Sequence, residues 1–294
     1  MKNNLIKISV IIPTYNRSQL LEQCLKALAG QTLDPLFFEV IVVNDGSTDN
    51  TKEIIDLFCY SLPNLIYLEQ QNQGPAVARN LGASIAKSNY LAFTDDDCQA
   101  DSDWLEKSLL LFTNELVGIQ GKTYTNRVET SPLTHQIDNE KGSYAVPTCN
   151  AIYYKPAFWE VGGFDESFPF PHNEDADLAW RISQLGTIRF CPEVCVYHPP
   201  RLEHFSKLKK RMKIMESEFL LFYKNPVLYK KYRNASPWHT IYREVFFKHL
   251  PIKFLSSLKK ISTPVFMFQN FGLILYWWYD LVRLFPRFWS LRSK

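Results

Sequence analysis

The chain of 294 residues is 46% hydrophobic and 21% charged, which excludes a disordered chain and provides enough apolar surface for a large core. Its net charge of +3 hides two opposed regions. Residues 1–200 carry 14 Lys and Arg against 25 Asp and Glu, whereas residues 201–294 carry 19 against 5 and also hold 21 of the 43 aromatic residues. This asymmetry predicts two regions with different functions.

The six cysteines are scattered, and none forms a CxxC pair. A signal peptide is not expected, because Lys7 interrupts the only early apolar run and no small-residue cleavage site follows it. We therefore expect free thiols in a reducing cytosol. Cys191, Cys195 and His198 have a spacing that zinc sites use, but a fourth ligand is missing, so buried strand cysteines are the simpler interpretation.

The first hundred residues alternate between β-branched runs and amphipathic segments. Strands are predicted over residues 7–13, 38–43, 64–68 and 90–93. A first helix is predicted to be capped by Asn16 or Ser18 and to run to about Ala29, a second to start at Thr48 or Asp49, and a third to run from Pro75 to about Ala86. Strands and helices alternating at this spacing predict right-handed β-α-β units and a mostly parallel sheet.

Polar clusters follow three of these strands at the point where each ends. They are Thr14–Arg17, Asn44–Ser47 and Asp95–Asp97. Ligands of such sheets bind beyond the carboxyl ends of the strands, so these clusters predict a binding site. The chain has no GxGxxG after the first strand and no GxxxxGK[ST] loop, which disfavours dinucleotide dehydrogenases and P-loop nucleotide hydrolases. A bound nucleotide would then be held mainly through its base, its ribose and a metal on its diphosphate.

Two acidic motifs are candidates for the chemistry. Three consecutive aspartates at a strand end repel one another unless a cation neutralises them, and their spacing suits Mg²⁺ or Mn²⁺; a solvated acidic turn is the alternative. Asn173 is a candidate cap of a helix whose first turn holds Glu174 and Asp175. One of these carboxylates is a candidate general base, and favourable helix-dipole interactions are the alternative explanation. His198 is either a further metal ligand or a structural histidine.

Six segments occur in the order and approximate spacing of the family 2 glycosyltransferases: SVIIPTYNR, VIVVNDGSTDNT, QNQGPAVARNLGA, FTDDDC, VGGFDE and NEDADLAWR. Over residues 7–198 the chain resembles that family. The resemblance implies an α/β fold of the GT-A type, with a mostly parallel central sheet flanked by helices. It also implies a nucleotide-diphosphate-sugar donor, a divalent metal (Mg²⁺ or Mn²⁺) and inversion at the anomeric carbon. We expect a catalytic domain over 1–200 and a helical C-terminal appendage over 201–294.

The resemblance also implies a role for each matching residue. Asp175 is the expected base with Glu174 second, and Arg181 is expected to orient these acids. Asp97 is the expected direct metal ligand, with Asp95 and His198 as further ligands. The donor nucleotide is expected to contact Pro13, Thr14, Tyr15, Arg17, Asp45, Gly74, Arg79, Asp95 and Asp96. In that set the carboxylate of Asp45 suits the N3–H of uracil or thymine, which favours a UDP- or dTDP-sugar.

Two features depart from the family pattern. Cys149-Asn150 stands where relatives often have Gly-Asn, which leaves the shape of the sugar pocket open. The proline- and phenylalanine-rich stretch 168–171, just before the acidic pair, predicts a specialised acceptor loop.

The C-terminal region mixes basic with aromatic residues, over 207–213 and 224–233 in particular. Such a face predicts binding to an anionic membrane surface, and nucleic acid is disfavoured because no recognised motif accompanies it. Residues 261–279 carry no formal charge. Pro264, Asn270 and the aromatic cluster 276–279 favour an interfacial segment there, with a spanning helix and a packed core helix as alternatives.

Together these observations predict an inverting, metal-dependent glycosyltransferase, cytoplasmic and peripheral on the inner face of the cell membrane. Its expected acceptor is a glycan or a lipid-linked molecule of bacterial surface-glycan or lipid-linked glycan synthesis. The alternative is a non-catalytic sugar-nucleotide-binding scaffold with the same fold. A nucleotidyltransferase is a third option, but its glycine- and basic-rich phosphate loop is missing. The sugar, the acceptor, the linkage and the oligomeric state stay open.

Overall fold

A computed structural model describes the protein over residues 5–126, 134–135, 137–202, 210–258 and 264–291. The chain divides into two compact units. We name the first the sheet unit; it consists of Met1–Asn126, Gln136–Ser167 and Glu174–Pro199. We name the second the helical unit; it consists of Arg127–His135, Phe168–Asn173 and Pro200–Lys294.

Strands and helices alternate along the sheet unit. Its strands are β1 (Ile8–Thr14), β2 (Phe38–Asn44), β3 (Leu65–Glu69), β4 (Tyr90–Phe93), β5 (Gln99–Ala100), β6 (Leu116–Tyr124), β8 (Ala151–Tyr154) and β9 (Thr187–Tyr197), while β7 (Thr134–His135) belongs to the helical unit. Its helices are α1 (Ser18–Ala29), α2 (Thr51–Leu57), α3 (Pro75–Ile85), α4 (Trp104–Leu111), α5 (Lys155–Glu160) and α6 (Glu174–Ile182), with a 3₁₀ turn at Thr148–Asn150.

Within the described residues, eight strands form one sheet in the order β3-β2-β1-β4-β8-β6-β9-β5. β3, β2, β1 and β4 are parallel neighbours, β9 is parallel to β6, and β8 and β5 run antiparallel to their neighbours. The predicted α/β fold with its helix-flanked, mostly parallel sheet is confirmed. The chain builds outward from β1 to β3 and then returns to add β4 on the other side of β1. This reversal is the topological switch point, where such sheets bind their ligands.

The core of the sheet unit covers both faces of β1 and β2, since every residue of these two strands is buried. On one face, Leu21 and Leu25 of α1 join the apolar cluster of Val10 and Val40. On the other face, α3 packs so closely that a Cβ built on Gly82 would lie 2.7 Å from Cγ2 of Ile11. Continuous β-branched runs form strands buried on both faces, as the sequence predicts here.

The predicted side-chain cap of α1 is wrong. The helix begins at Ser18, but neither Asn16 nor Ser18 caps it through its side chain. Instead Asp49, in the loop after β2, accepts a hydrogen bond from the backbone N–H of Ser18 at 2.9 Å and from Oγ1 of Thr51 at 2.6 Å. α2 correspondingly begins at Thr51 rather than at residue 48 or 49. The two carboxylate oxygens of Asp49 therefore link the first residues of α1 and α2.

The helical unit contains the predicted C-terminal helices. They are a 3₁₀ turn at Lys210–Ile214, α7 (Met215–Lys224), α8 (Pro226–Arg233), a π-helix at Trp238–His249, α9 (Leu250–Leu258) and α10 (Pro264–Ser290), and β10 (Arg201–Leu202) pairs antiparallel with β7. Their core includes Phe219, Ile241, Leu273, Ile274 and Phe288.

The uncharged run predicted over 261–279 is part of a longer element. Residues 264–279 lie in α10, which continues through Asp280 to Ser290, and residues 261–263 lie outside the described part of the chain. Of the basic segment 207–213, residues 207–209 also lie outside it. In the described ranges, we find no helix that combines the length and the apolar character needed to cross a bilayer.

Candidate active site

The loops after β1 and β4 are fastened together at the switch point. Thr14, the last residue of β1, donates a hydrogen bond from Oγ1 to Oδ2 of Asp96 at 2.9 Å. Nη1 of Arg17 lies 2.9 Å from Oδ1 of Asp96 and 3.4 Å from Oδ2 of Asp97. Burial raises the pKa of Asp96, and Arg17 opposes that shift. Asp96, which was predicted to contact the donor nucleotide, therefore links the loops after β1 and β4.

A buried arginine joins the strand-end aspartates to helix α6. Arg79 of α3 lies with Nη2 2.8 Å from Oδ1 of Asp95 and with Nη1 3.2 Å from Oε1 of Glu174. Among the described residues, Nε of Arg79 and Oε2 of Glu174 have no hydrogen-bond partner. Buried polar atoms are normally paired, so these two atoms favour a ligand or water at this point. Burial raises the pKa of Glu174, and the charge of Arg79 lowers it.

Glu174 and Asp175, the acidic pair, occupy the first turn of α6. Asp175 is half-buried. Burial, together with the neighbouring charge of Glu174, raises the pKa of Asp175 to about 7. A carboxyl group with such a pKa is matched to proton removal at neutral pH.

Tyr153 of β8 lies in the electrostatic field of Asp175, and no motif in the sequence singles it out. Its side chain is fully buried, and its hydroxyl has no hydrogen-bond partner within the described residues. Burial and the charge of Asp175 both raise the pKa of Tyr153, so the phenol stays protonated at neutral pH. It is a residue that sequence reasoning missed.

A second group of side chains could hold a metal ion. One ligand atom each from Asp97, Cys98 and His198 lie within 4.8 Å of one another, and all three residues are buried. Nε2 of His198 is 3.5 Å from Oδ1 of Asp97. Burial lowers the pKa of His198, which favours the neutral imidazole that metals bind. Two predicted ligands, Asp97 and His198, are thus together, whereas Asp95 is paired with Arg79 instead.

Asp45 closes the loop that leads into α3. Its Oδ1 accepts hydrogen bonds from Nε2 of Gln70 at 2.7 Å and from the backbone N–H of Gln73 at 2.8 Å. Its Oδ2 accepts from the N–H of Gly74 at 2.9 Å. A carboxylate has about four acceptor positions, so one remains for the N–H of a nucleotide base. The sequence did not indicate Gln70, which comes directly after β3.

The remaining predicted donor contacts differ in exposure. Gly74 has φ +95°, a left-handed conformation that glycine adopts without strain. Pro13 is buried within β1, whereas Tyr15 is 48% exposed. Tyr15 is therefore available for a flat ligand group, and the side chain of Pro13 shapes the strand end from inside.

Arg181 contacts neither member of the acidic pair directly in the bonds described for it. It pairs with Asp177 and donates from Nη1 to the carbonyl of Val161 at 2.7 Å and from Nη2 to that of Gly163 at 2.9 Å. It anchors α6 to the turn after α5, and so it positions the helix that carries the acids.

In the Cys149-Asn150 pair, Asn150 is the residue shared with the family pattern, and its side chain links neighbouring elements. Asn150 accepts a hydrogen bond from Nε1 of Trp104 at 2.9 Å and donates from Nδ2 to the carbonyls of Lys122 and Val194. It therefore ties β6 to β9 where their register shifts.

Comparisons with known proteins agree with this geometry. Residues 9–173 match the sequence profile of the family described as glycosyl transferase family 2. The chain is 31% identical over 221 residues to glycosyltransferase AglE of Haloferax volcanii, and the match covers 72% of each protein. Among solved structures, mannosyltransferase PcManGT from Pyrobaculum calidifontis, in complex with GDP-Man and Mn²⁺, has a TM-score of 0.62 at 19% identity over 79% of this chain and 69% of its own. S. aureus TarS 1-349 in complex with UDP has a TM-score of 0.57 at 22% identity over 74% and 65%.

These comparisons differ in what they support. At 19–22% identity the two solved structures show the fold alone. The chain spans just under two thirds of the TarS fragment. The profile ends at residue 173, so the acidic pair and His198 lie beyond it and depend on the geometry described above.

Proposed function

This chain belongs to glycosyl transferase family 2, and from that membership we propose that it transfers a sugar from a nucleotide diphosphate to an acceptor hydroxyl with inversion at the anomeric carbon. The observation that carries the proposal is the bridge made by Arg79, which joins Asp95 at the end of β4 to Glu174 at the start of α6. This bridge brings the two acidic motifs, separated by nearly 80 residues, into one site.

The donor half of the site lies at the ends of β1, β2 and β4. Asp45 has an acceptor position left for the N–H of a base, which favours UDP- or dTDP-sugars. Arg17 and Arg79 supply positive charge next to the strand-end aspartates. TarS, whose structure contains UDP, and PcManGT, whose structure contains GDP-Man, share this fold, so the base is not fixed by the fold.

The residues present fit a divalent cation. Asp97 and His198 lie close enough to ligate one ion, with Mg²⁺ or Mn²⁺ as the proposed cofactor. The chemistry that such an ion supplies is neutralisation of the negative charge on the departing nucleoside diphosphate. Within the protein, Arg17 then has to share Asp97 with the ion, because its guanidinium lies 3.4 Å from that carboxylate.

Asp175 is the proposed general base. Glu174 is held by Arg79, whereas Asp175 is half-buried with a pKa raised to about 7. Asp175 takes the proton of the acceptor hydroxyl as that oxygen attacks the anomeric carbon from the face opposite the diphosphate. Burial and the charge of Glu174 favour the neutral form of the base, and Arg79 opposes that effect.

The direct test is release of nucleoside diphosphate from common sugar nucleotides in the presence of Mn²⁺ or Mg²⁺. We expect turnover with one pyrimidine nucleotide sugar, and NMR of the product should show the anomeric configuration opposite to that of the donor. Asp97→Ala should abolish turnover, and the matched surface variant Asp56→Asn should not. Binding without turnover of any donor would favour a non-catalytic scaffold protein instead.

The helical unit supports a further proposal, namely that the enzyme lies on an anionic membrane surface at the cytoplasmic side. Helix α10 has two apolar faces. One is buried and includes Leu273, Ile274, Leu281 and Phe288. The other, here named the outer stripe, is 41–68% exposed and consists of Phe268, Leu275, Tyr279, Val282, Phe285 and Trp289.

The outer stripe repeats at spacings of three, four and seven residues, which places its members along one side of the helix. The region 201–294 carries 19 basic against 5 acidic residues. An exposed apolar stripe in a strongly basic region is complementary to an anionic bilayer. On this surface a lipid-linked or glycan acceptor of bacterial envelope synthesis is the proposed second substrate, with stretch 168–171 as its proposed loop.

Co-sedimentation with vesicles tests this part. We expect binding to vesicles that contain phosphatidylglycerol, weakened by salt, and little binding to phosphatidylcholine alone. Tyr279→Glu on the outer stripe should lower binding, whereas Tyr60→Glu, which changes a 99% exposed tyrosine of the sheet unit, should not. Equal loss in both variants, or binding indifferent to salt and lipid charge, would contradict the proposal.

A further inference from the structure

The candidate metal group contains a thiol that the predicted ligand set lacks. Cys98 follows Asp97 directly, and its Sγ lies 3.9 Å from Oδ1 of Asp97. We propose that Cys98 is a third direct ligand of the metal ion at Asp97 and His198, so that the site favours Mn²⁺ over Mg²⁺ and binds zinc-like transition ions more tightly than either. The inference depends on the proposed function only for what the ion does in catalysis, since the binding itself needs no substrate.

The spacing of the three ligand atoms fits one small ion. Oδ1 of Asp97 is 3.5 Å from Nε2 of His198 and 3.9 Å from Sγ of Cys98, and all three atoms lie within 4.8 Å of one another. Ligands about 2.0–2.3 Å from a tetrahedral zinc ion lie roughly 3.4–3.8 Å apart. The observed distances therefore need only small movements to converge on an ion.

The two oxygens of Asp97 face different groups. Oδ1 lies toward His198 and Cys98, whereas Oδ2 lies 3.4 Å from Nη1 of Arg17. An ion on Oδ1 therefore leaves Arg17 in place on the other oxygen. Three protein ligands leave a fourth position open, as in catalytic rather than structural zinc sites.

The donor set decides the kind of ion. Mg²⁺ binds oxygen ligands in a nearly ideal octahedron, and neither an imidazole nor a thiolate suits it. A combination of carboxylate, imidazole and thiolate suits Zn²⁺ or Co²⁺, and affinity along the divalent series rises from Mn²⁺ to Co²⁺ and remains high for Zn²⁺. The sequence motif FTDDDC already places the thiol beside the aspartate, but only the fold brings His198 to both.

The binding step is balanced by one proton. The thiol of Cys98 loses its S–H proton to solvent when the sulfur–metal bond forms, so binding releases a proton and weakens as the pH falls. A serine at this position keeps the size of the side chain but not the soft ligand. We therefore expect Cys98→Ser to bind Zn²⁺ at least about 100-fold more weakly and to release one proton fewer.

Titration of the metal-free full chain with Co²⁺ tests the proposal. A Cys59→Ser background removes the exposed thiol. In that background we expect a thiolate-to-cobalt charge-transfer band in the near ultraviolet. The band should disappear in Cys98→Ser and Cys98→Ala. It should persist in Cys24→Ser, whose cysteine is equally buried but lies outside the three-residue group. Zn²⁺ should displace the cobalt at equimolar amounts, and Mg²⁺ in large excess should not.

Several results would overturn the proposal: no band in the background protein, a band that survives in folded Cys98→Ser, or displacement of cobalt by Mg²⁺. If Cys98→Ser does not fold, the cobalt spectrum decides by itself: Co²⁺ bound to the background protein without a thiolate charge-transfer band would overturn the proposal. Full turnover of a sugar nucleotide with Mg²⁺ and no cobalt band would refute the thiolate ligand and leave the glycosyltransferase assignment intact. A cobalt band without turnover of any sugar nucleotide would support the thiolate ligand and count against the glycosyltransferase assignment.

Discussion

The sheet unit buries charged side chains, whereas the helical unit exposes large apolar ones. In the sheet unit, charged residues are buried where strands end: Asp45, Arg79, Asp96, Asp97 and Glu174 are each at most 5% exposed. In the helical unit, large apolar residues are exposed along one side of α10, up to 68% for Phe268. Each arrangement costs stability by itself, because buried charge loses hydration and exposed apolar surface orders water. The difference supports the two proposals made above, chemistry in the sheet unit and a membrane-binding surface in the helical unit.

Two buried acids, Glu218 of the helical unit and Glu174 of the sheet unit, differ in how their carboxylate oxygens are used. Glu218 accepts hydrogen bonds from Nδ2 of Asn173 and from the hydroxyl of Tyr229, and Arg233 lies 3.5 Å away. Both of its carboxylate oxygens are thus used within the protein. By contrast, Glu174 keeps one oxygen without a partner among the described residues. A satisfied buried acid indicates a structural link, and an unsatisfied one indicates a site that completes itself with a ligand.

The largest effect on stability is expected at Arg79. Arg79→Met removes the cation between Asp95 and Glu174 and leaves a buried carboxylate without its partner, which costs about 3–5 kcal/mol. Urea unfolding at pH 8 measures this loss. Lys26→Met in the exposed pair with Glu22 should cost less than about 0.5 kcal/mol. A loss of similar size in both variants would show that the buried bridge has no special role.

The acidic pair should make stability and rate depend on pH. The pKa of Asp175 is raised to about 7 in the folded protein, so ionising this group opposes folding, and stability is lost as pH rises from about 4 to about 7. Asp175→Asn does not titrate and should therefore gain in melting temperature relative to wild type over that window. The wild-type kcat should rise with pH, reach half of its plateau near pH 7 and level off roughly one pH unit higher, because the base must be ionised. A constant difference in melting temperature from pH 4 to 8 would contradict the shifted pKa.

The smallest predicted effect compares two glycines within helices. Gly82→Ala in α3 brings a Cβ to 2.7 Å from Ile11, which should cost about 1–3 kcal/mol. Gly272→Ala in α10 meets no atom within 4 Å and should stabilise the protein by up to about 1 kcal/mol. Thermal unfolding of both variants measures the opposite signs. Destabilisation by both would mean that α10 packs more tightly on its exposed side than the structure shows.

The strands and the loops after them could be predicted because their signals are local. The β-branched run predicted over residues 7–13 forms β1, which ends one residue later at Thr14. β4 coincides with the predicted residues 90–93. The cap of α1 could not be predicted, because the carboxylate that accepts from the N–H of Ser18 belongs to Asp49, more than 30 residues along the chain.

Long-range contacts also explain the site residues that sequence reasoning missed. Tyr153 and Gln70 lie in no motif, and their roles depend on the position of β8 and of the loop after β3. Cys98 was visible in a motif, but its closeness to His198 requires β5 to pair with β9, where Gln99 lies opposite Tyr197. Motifs therefore indicated the chemistry, whereas the partners of each group needed the fold.

The central claim is that Asp175 is the base of a glycosyl transfer. Its most direct test is the rate of nucleoside diphosphate release with donor and acceptor saturating, for wild type, Asp175→Asn and the exposed control Asp56→Asn. We predict a fall in kcat of about 10²–10⁴-fold for Asp175→Asn, with donor binding retained and Asp56→Asn unchanged. Turnover by folded Asp175→Asn at the wild-type rate would contradict the account.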